Sequence, residues 1–178
     1  SRSGLKSWGP AVEPAESLDA TMASEMVFTM GLPAAGKSTT VAARYATTHN
    51  VIDPDMIKES HPDYNPKAPE ALHEWSSECA EQMFAAAIAA GAGCFVVDGT
   101  GTNAEKMARR IKQARAAGFS VRLLYVRCTI ETSLRRNALR ARTVPEFVIR
   151  ERARDIATSF EIVAGYVGMD AVEVANND

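Results

Sequence analysis

Residues 31–38 read Gly31-Leu32-Pro33-Ala34-Ala35-Gly36-Lys37-Ser38 and fit the pattern G-x-x-x-x-G-K-[ST] without a gap. The pattern makes chemical sense only between a strand and a helix. Its glycines let backbone amides close around β- and γ-phosphates, its lysine adds a point charge, and its serine offers an oxygen to Mg²⁺. The flanks agree: residues 26–30 are a short apolar run suited to a buried strand, and residues 37 to about 49 suit a helix. The positive end of that helix would face the same phosphates. The expected cradle comprises Gly31, Pro33, Ala34, Ala35, Gly36, Lys37, Ser38 and Thr39, with ATP or GTP and Mg²⁺ as the cofactors.

A chain of 178 residues is long enough for one domain with a real core. No apolar run approaches a membrane span, and the N-terminal residues lack the apolar stretch of a secretory signal, so the expected location is cytoplasmic. Cys79, Cys94 and Cys128 are far apart and odd in number, which argues against a disulfide framework or a Cys-x-x-Cys metal site and reads as core filler. The net charge of −2 hides an asymmetry, because residues 103–154 hold fourteen of the twenty Lys and Arg against four acids. A basic half beside a phosphate loop suits a substrate that itself carries phosphate.

Residues 1–24, rich in Ser, Pro, Ala and Glu, read as a flexible arm or linker, and residues 25–178 as one domain. Val51-Ile52 reads as a second strand whose end carries Asp53-Pro54-Asp55, and residues 56–68 as a turn-rich stretch broken by prolines. A long helix follows from about residue 69 to residue 90, with Leu72, Trp75, Cys79, Met83 and Ala86 expected on its inner face. Residues 94–98 form a third strand, and Asn103 is placed to cap a helix that turns Met107, Ile111 and Ala114 inward. A strand over 121–126 and a helix from about 130 to 139 come next. Thr143-Val144-Pro145-Glu146 reads as a capping box for a helix with the stripe Ile149, Ala153, Ile156, Phe160, Val163 and Val167. Residues 171–174 close the domain; Asn176 and Asn177 beyond them stand where they could approach an adenine edge, but a frayed end is the leading expectation. Alternating strands and helices imply a parallel sheet covered on both faces.

A phosphate loop alone does not separate motors, switches and kinases. Phosphoryl transfer also needs a metal, a group to orient the acceptor's proton, and positive charge on the transferred group. In open α/β sheets ligands gather at the carboxyl ends of strands, where Asp55 can receive an acceptor hydroxyl and Ser38, Asp53 and Asp98 can serve the metal. Asp53, standing before Pro54, fits a helix cap equally well. Arg136 and Arg140 share a helix face and Arg142 follows in the next loop, so the three can close over a terminal phosphate. Thr100 and Thr102 follow the third strand, where a hydroxyl can touch substrate.

The order G-L-P-A-A-G-K-S, then I-D-P-D-M-I-K-E-S-H-P, then V-V-D-G-T-G-T-N, then an arginine-rich segment ending R-T-V-P, resembles the zeta toxin group of P-loop kinases over about residues 26–160. That group phosphorylates the 3′-hydroxyl of UDP-N-acetylglucosamine with ATP or GTP and Mg²⁺. The resemblance implies that Lys37 is the loop lysine, Asp55 the catalytic base, Glu81 an acid that helps hold the sugar nucleotide, Thr100 a substrate contact, and Arg136 and Arg142 phosphate-binding arginines. Asp98 stands where those toxins carry Glu. The short arginine segment followed by Val-Pro is equally similar to polynucleotide kinases, which act on 5′-hydroxyl ends of nucleic acid.

The expectation is therefore a doubly wound α/β P-loop NTPase fold with five parallel strands in the order 2-3-1-4-5 and an arginine-rich lid. A nucleotide sugar leads as acceptor and a polynucleotide end follows. A small-molecule hydroxyl kinase and an acceptor-free nucleotide switch are the other readings, and an antitoxin partner is left open.

Overall fold

The structure, a computed structural model, describes residues 23–178. The arm expected over residues 1–24 lies outside the described residues except at its end, where the Ser24 carbonyl accepts from Ser120 N at 2.9 Å and its hydroxyl from Gly93 N at 3.2 Å. Five strands, β1 (Glu25–Met30), β2 (Asn50–Ile52), β3 (Cys94–Val97), β4 (Ser120–Arg127) and β5 (Val172–Asn176), form one sheet in the order β2-β3-β1-β4-β5. Every pairing is parallel. That is the expected topology.

Six helices connect the strands: α1 (Lys37–Tyr45), α2 (Pro54–Glu59), α3 (His73–Ala90), α4 (Ala104–Ala116), α5 (Ile130–Ala138) and α6 (Glu146–Val167). The step from β1 to β2 runs one way across the sheet and all later steps run the other, so right-handed crossovers separate α1 from α3, α4 and α6. Side chains bear this out. Phe28 of β1 meets Phe84 of α3 edge-on with centroids 6.5 Å apart, and Tyr125 of β4 lies 4.9 Å from Phe160 of α6. From Met26 to Met30 the central strand is wholly buried, and Met26, Phe28 and Met30 each add about 1.5–3 kcal/mol through the apolar surface they remove from water.

Several local expectations change. The stretch after Asp53 is not all turn, because a proline in the first position of a helix forfeits only an N–H that would be unpaired anyway, and Pro54 opens α2. The long helix divides into a short 3-10 helix (Pro69–Leu72) and α3, whose buried residues are Ser76, Ala80, Phe84 and Ala87. The stripe built on Trp75, Met83 and Ala86 lies one position off: small Ser and Ala let α3 approach the sheet, while Trp75 stays partly exposed and packs edge-on against His61 at 4.7 Å. The capping box at Thr143 does not form. Pro145 is the residue before α6, no side chain caps it, and Glu146 turns to Arg150 at 2.7 Å. Met107, Ile111 and Ala114 are buried as expected, and Asn103 caps α4 by accepting from Lys106 N at 3.0 Å. The three cysteines are free and half-buried.

Candidate functional site

The phosphate loop spans the gap between the central strand and α1, at the rim formed by the carboxyl ends of all five strands. Gly36 precedes α1 with φ of 93°, a left-handed conformation natural to glycine, and a Cβ there would lie 2.3 Å from the Asn177 amide nitrogen. Ala34 also adopts positive φ, at 58°, which costs an alanine roughly 1–2 kcal/mol and marks the loop as held by its surroundings. The Lys37 ammonium donates to the carbonyls of Gly31 at 2.9 Å and Leu32 at 2.8 Å. Burial holds the Lys37 pKa below the usual lysine value, opposed by the negative charges of Asp98, Asp55 and Asp53. Ser38 and Thr39 lie exposed on the first turn of α1.

Asp53 and Asp98 end adjacent strands and are both buried, at 5% and 8% exposure. Asp53 caps α2, its Oδ1 accepting from Asp55 N at 2.8 Å, so the cap and the metal-side candidate are the same residue. Burial, then the facing charge of Asp98, pushes its pKa up to about 7. Thr29, hidden inside the apolar run of β1, donates from its hydroxyl to Asp98 Oδ1 at 2.5 Å and accepts from Gly99 N at 2.9 Å. The sequence reading passed over this threonine because nothing local separates it from the strand around it.

A carboxyl whose pKa is raised on folding lends stability that is full below its unfolded value of about 4 and drains away as pH rises to about 7. Asp53→Asn keeps a capping oxygen and removes the charge. The variant is therefore expected to gain stability over the parent between pH 5 and pH 8, by something on the order of 2 kcal/mol, read from urea unfolding at the two pH values.

Asp55 lies half exposed on the first turn of α2, and Arg142 meets its Oδ1 at 2.7 Å. The structure thus brings together two residues expected at opposite ends of the reaction, a base and a phosphate-binding arginine. Arg136 donates to the Ala35 carbonyl of the phosphate loop at 3.4 Å, and the charge of Arg140 acts on Lys37 from the exposed loop beyond α5. That loop is tied down by Asn137, a residue the sequence reading missed. Its amide nitrogen donates to Val144 O at 2.7 Å and its oxygen accepts from Val144 N at 2.8 Å. Asn137→Ala breaks both bonds and is expected to cost about 1–3 kcal/mol in thermal unfolding and to loosen Arg142 from Asp55.

Thr100 reaches the loop through its backbone, its carbonyl accepting from Gly31 N at 3.0 Å, while its hydroxyl lies 3.3 Å from that of Thr102. Glu81 goes elsewhere: on α3 it pairs with Arg110 at 2.6 Å and Lys106 at 3.3 Å. Although burial opposes it, these two cations pull its carboxyl below the usual range. Glu81 lines a cleft of about 320 Å³ between α3 and α4, floored by Phe84 and Ile88. The C-terminal residues do not fray. Asn177 donates to the Ala35 carbonyl at 2.8 Å, Asn176 accepts from Arg127 at 2.9 Å, and Asp178 accepts from Thr129 N at 2.7 Å.

A phosphate loop between the first strand and first helix, on a parallel sheet in this order, defines a P-loop NTPase fold. The chain belongs to the AAA domain family, which matches residues 26–162. No curated protein matches the sequence. Among solved structures it is similar to the PezAT toxin–antitoxin system of Streptococcus pneumoniae, at 13% identity and a TM-score of 0.64, covering 88% of this chain and 69% of that one. The AvrRxo1-ORF1:AvrRxo1-ORF2 complex matches at 18% identity and a TM-score of 0.71 over 86% of this chain and 55% of that one, and a further structure of it contains ATP. The Pnkp1/Rnl/Hen1 RNA repair complex matches at 15% identity and a TM-score of 0.61, over 80% and 47% of the two chains. The chain thus spans only about half the length of the last two. No helix among the described residues is long and apolar enough to cross a membrane.

Proposed function

We propose that the chain is a kinase that transfers the γ-phosphoryl group of ATP to a hydroxyl of a nucleotide-bearing acceptor, a nucleotide sugar first among them, with residues 25–178 as the catalytic domain. The observation that carries this reading is the Asp55 carboxylate standing half exposed beside the loop lysine, in the grip of Arg142. A switch that only binds nucleotide has no use for an accessible carboxylate there, whereas an acceptor hydroxyl needs one within hydrogen-bond reach.

The residues present suit both cofactors. The amides of Ala34 and Gly36, like those of Lys37, Ser38 and Thr39 in the first turn of α1, find no acceptor among the described residues, which leaves a row of donors for phosphate oxygens. Ser38, Asp53 and Asp98 offer hard oxygen donors of the kind Mg²⁺ takes. No cluster of three or more His, Cys, Asp or Glu poised for a metal occurs among the described residues, which suits Mg²⁺, since it keeps several waters and takes the rest of its shell from phosphate. When bound, Mg²⁺ would neutralise charge on the phosphate oxygens.

In this reading Lys37 exchanges its loop carbonyls for phosphate oxygens, and Asp55 accepts the hydrogen bond of the acceptor hydroxyl and then its proton. Arg142, released from Asp55 as the acceptor arrives, joins Arg136 and Arg140 on the transferred group. A polynucleotide 5′-hydroxyl is the second reading, favoured by the basic run over residues 103–154. Labelled ATP offered to nucleotide sugars, 5′-hydroxyl oligonucleotides and small alcohols separates them. Label is expected in a nucleotide sugar, with weak salt dependence. A steep loss of oligonucleotide labelling with salt marks the second reading, and slow hydrolysis with no acceptor labelled overturns the kinase.

A further inference from the structure

We propose that Ser133 and Asn177 are positioning residues that aim the phosphate loop's free amides, an inference that rests on the nucleotide-binding reading above and adds two residues to it. A trans peptide is planar, with its C=O and the following N–H pointing in opposite directions. Pinning a carbonyl therefore sets the direction of the next amide. Ser133, wholly buried on α5, donates to Pro33 O at 2.6 Å, and the other end of that peptide is the Ala34 N–H. Asn177, just past β5, donates to Ala35 O at 2.8 Å, and the other end of that peptide is the Gly36 N–H. Both amides lack an acceptor among the described residues, as do those of Lys37, Ser38 and Thr39 in the first turn of α1.

Other loop peptides are arranged differently. The carbonyls of Gly31 and Leu32 are held by Lys37, and Leu32 O also accepts from Ala35 N at 3.1 Å, closing a turn within the loop. Once Lys37 turns to phosphate, those two carbonyls lose its support, whereas the grips of Ser133 and Asn177 come from outside and persist. Two further features mark the braces as tight. Ala34 keeps a left-handed conformation that an alanine does not choose unaided, and a Cβ on Gly36 would strike the Asn177 amide. Arg136 supplies a weaker third contact, at 3.4 Å, to the carbonyl Asn177 already holds.

Neither brace touches the reacting atoms, so the cost of losing one should appear in phosphate binding and leave recognition of the base alone. Ser133→Ala is expected to weaken ATP and tripolyphosphate binding about tenfold, and Asn177→Asp, which sets an anionic oxygen against Ala35 O, at least about thirtyfold. Adenosine affinity should be unchanged in both, KM for ATP should rise more than kcat falls, and Ser133→Thr should restore binding. Calorimetric titration of parent and variants with the three ligands reads this out. Equal losses for adenosine and ATP, or unchanged ATP affinity in variants that keep the parent's melting temperature, would overturn the positioning role. A parent chain that binds neither ATP nor tripolyphosphate would overturn the nucleotide reading itself.

Discussion

Asp55→Asn is expected to lower phosphoryl transfer at least about a hundredfold while changing ATP affinity less than about threefold. The substitution keeps the size of the side chain and its place on the first turn of α2, but an amide cannot take the hydroxyl proton. Because Arg142 binds the carboxylate in the structure, the substitution also frees that arginine. A modest tightening of nucleotide binding is therefore compatible with the mechanism, and a large loss is not. Single-turnover transfer and equilibrium titration of the same variant check the two halves separately. Transfer at the parent rate would remove Asp55 from the chemistry.

Lys37→Met is expected to cost more, about a thousandfold in transfer with a clear loss of ATP affinity, because one change removes both a phosphate contact and the side chain that ties the loop carbonyls. Lys37→Arg should rescue little. The broad guanidinium fork does not fit a position where a compact ammonium must swing between two carbonyls and a phosphate. Retention of more than about a tenth of the parent activity in the methionine variant would mean that the loop does not bear on the transferred group.

Much of this was legible in advance for one reason: the features concerned are local. Eight consecutive residues spell the phosphate loop, and alternating short apolar runs and amphipathic stretches spell a parallel sheet, so β1, α1, α4 and the strand order could be read before any coordinates. Errors came where two local rules compete. The prolines at 62 and 66 drew the whole of residues 56–68 into a turn, although the first four of those residues belong to a helix that Pro54 opens, and on α3 the larger apolar side chains drew attention from Ser76 and Ala80, whose smallness sets the packing. The supporting shell of the site was invisible for a different reason. Ser133 and Asn177 act on carbonyls 100 and 142 residues away, and no spacing pattern encodes a partner at that distance. Asn137 grips a residue seven positions ahead, but a lone asparagine at a helix end carries no mark of it.

The centre of the sheet is also its earliest-made strand. β1 pairs with β3 and with β4, so Phe28, which lies beside Val97, must wait for Leu123 to leave the ribosome before its second neighbour exists. At synthesis rates of about 5–20 residues per second, that is a delay of roughly 5 to 20 seconds during which an apolar ribbon has no permanent cover. Newly made chains should therefore depend on holding chaperones in that interval, and those released before β4 emerges should be the fraction that aggregates.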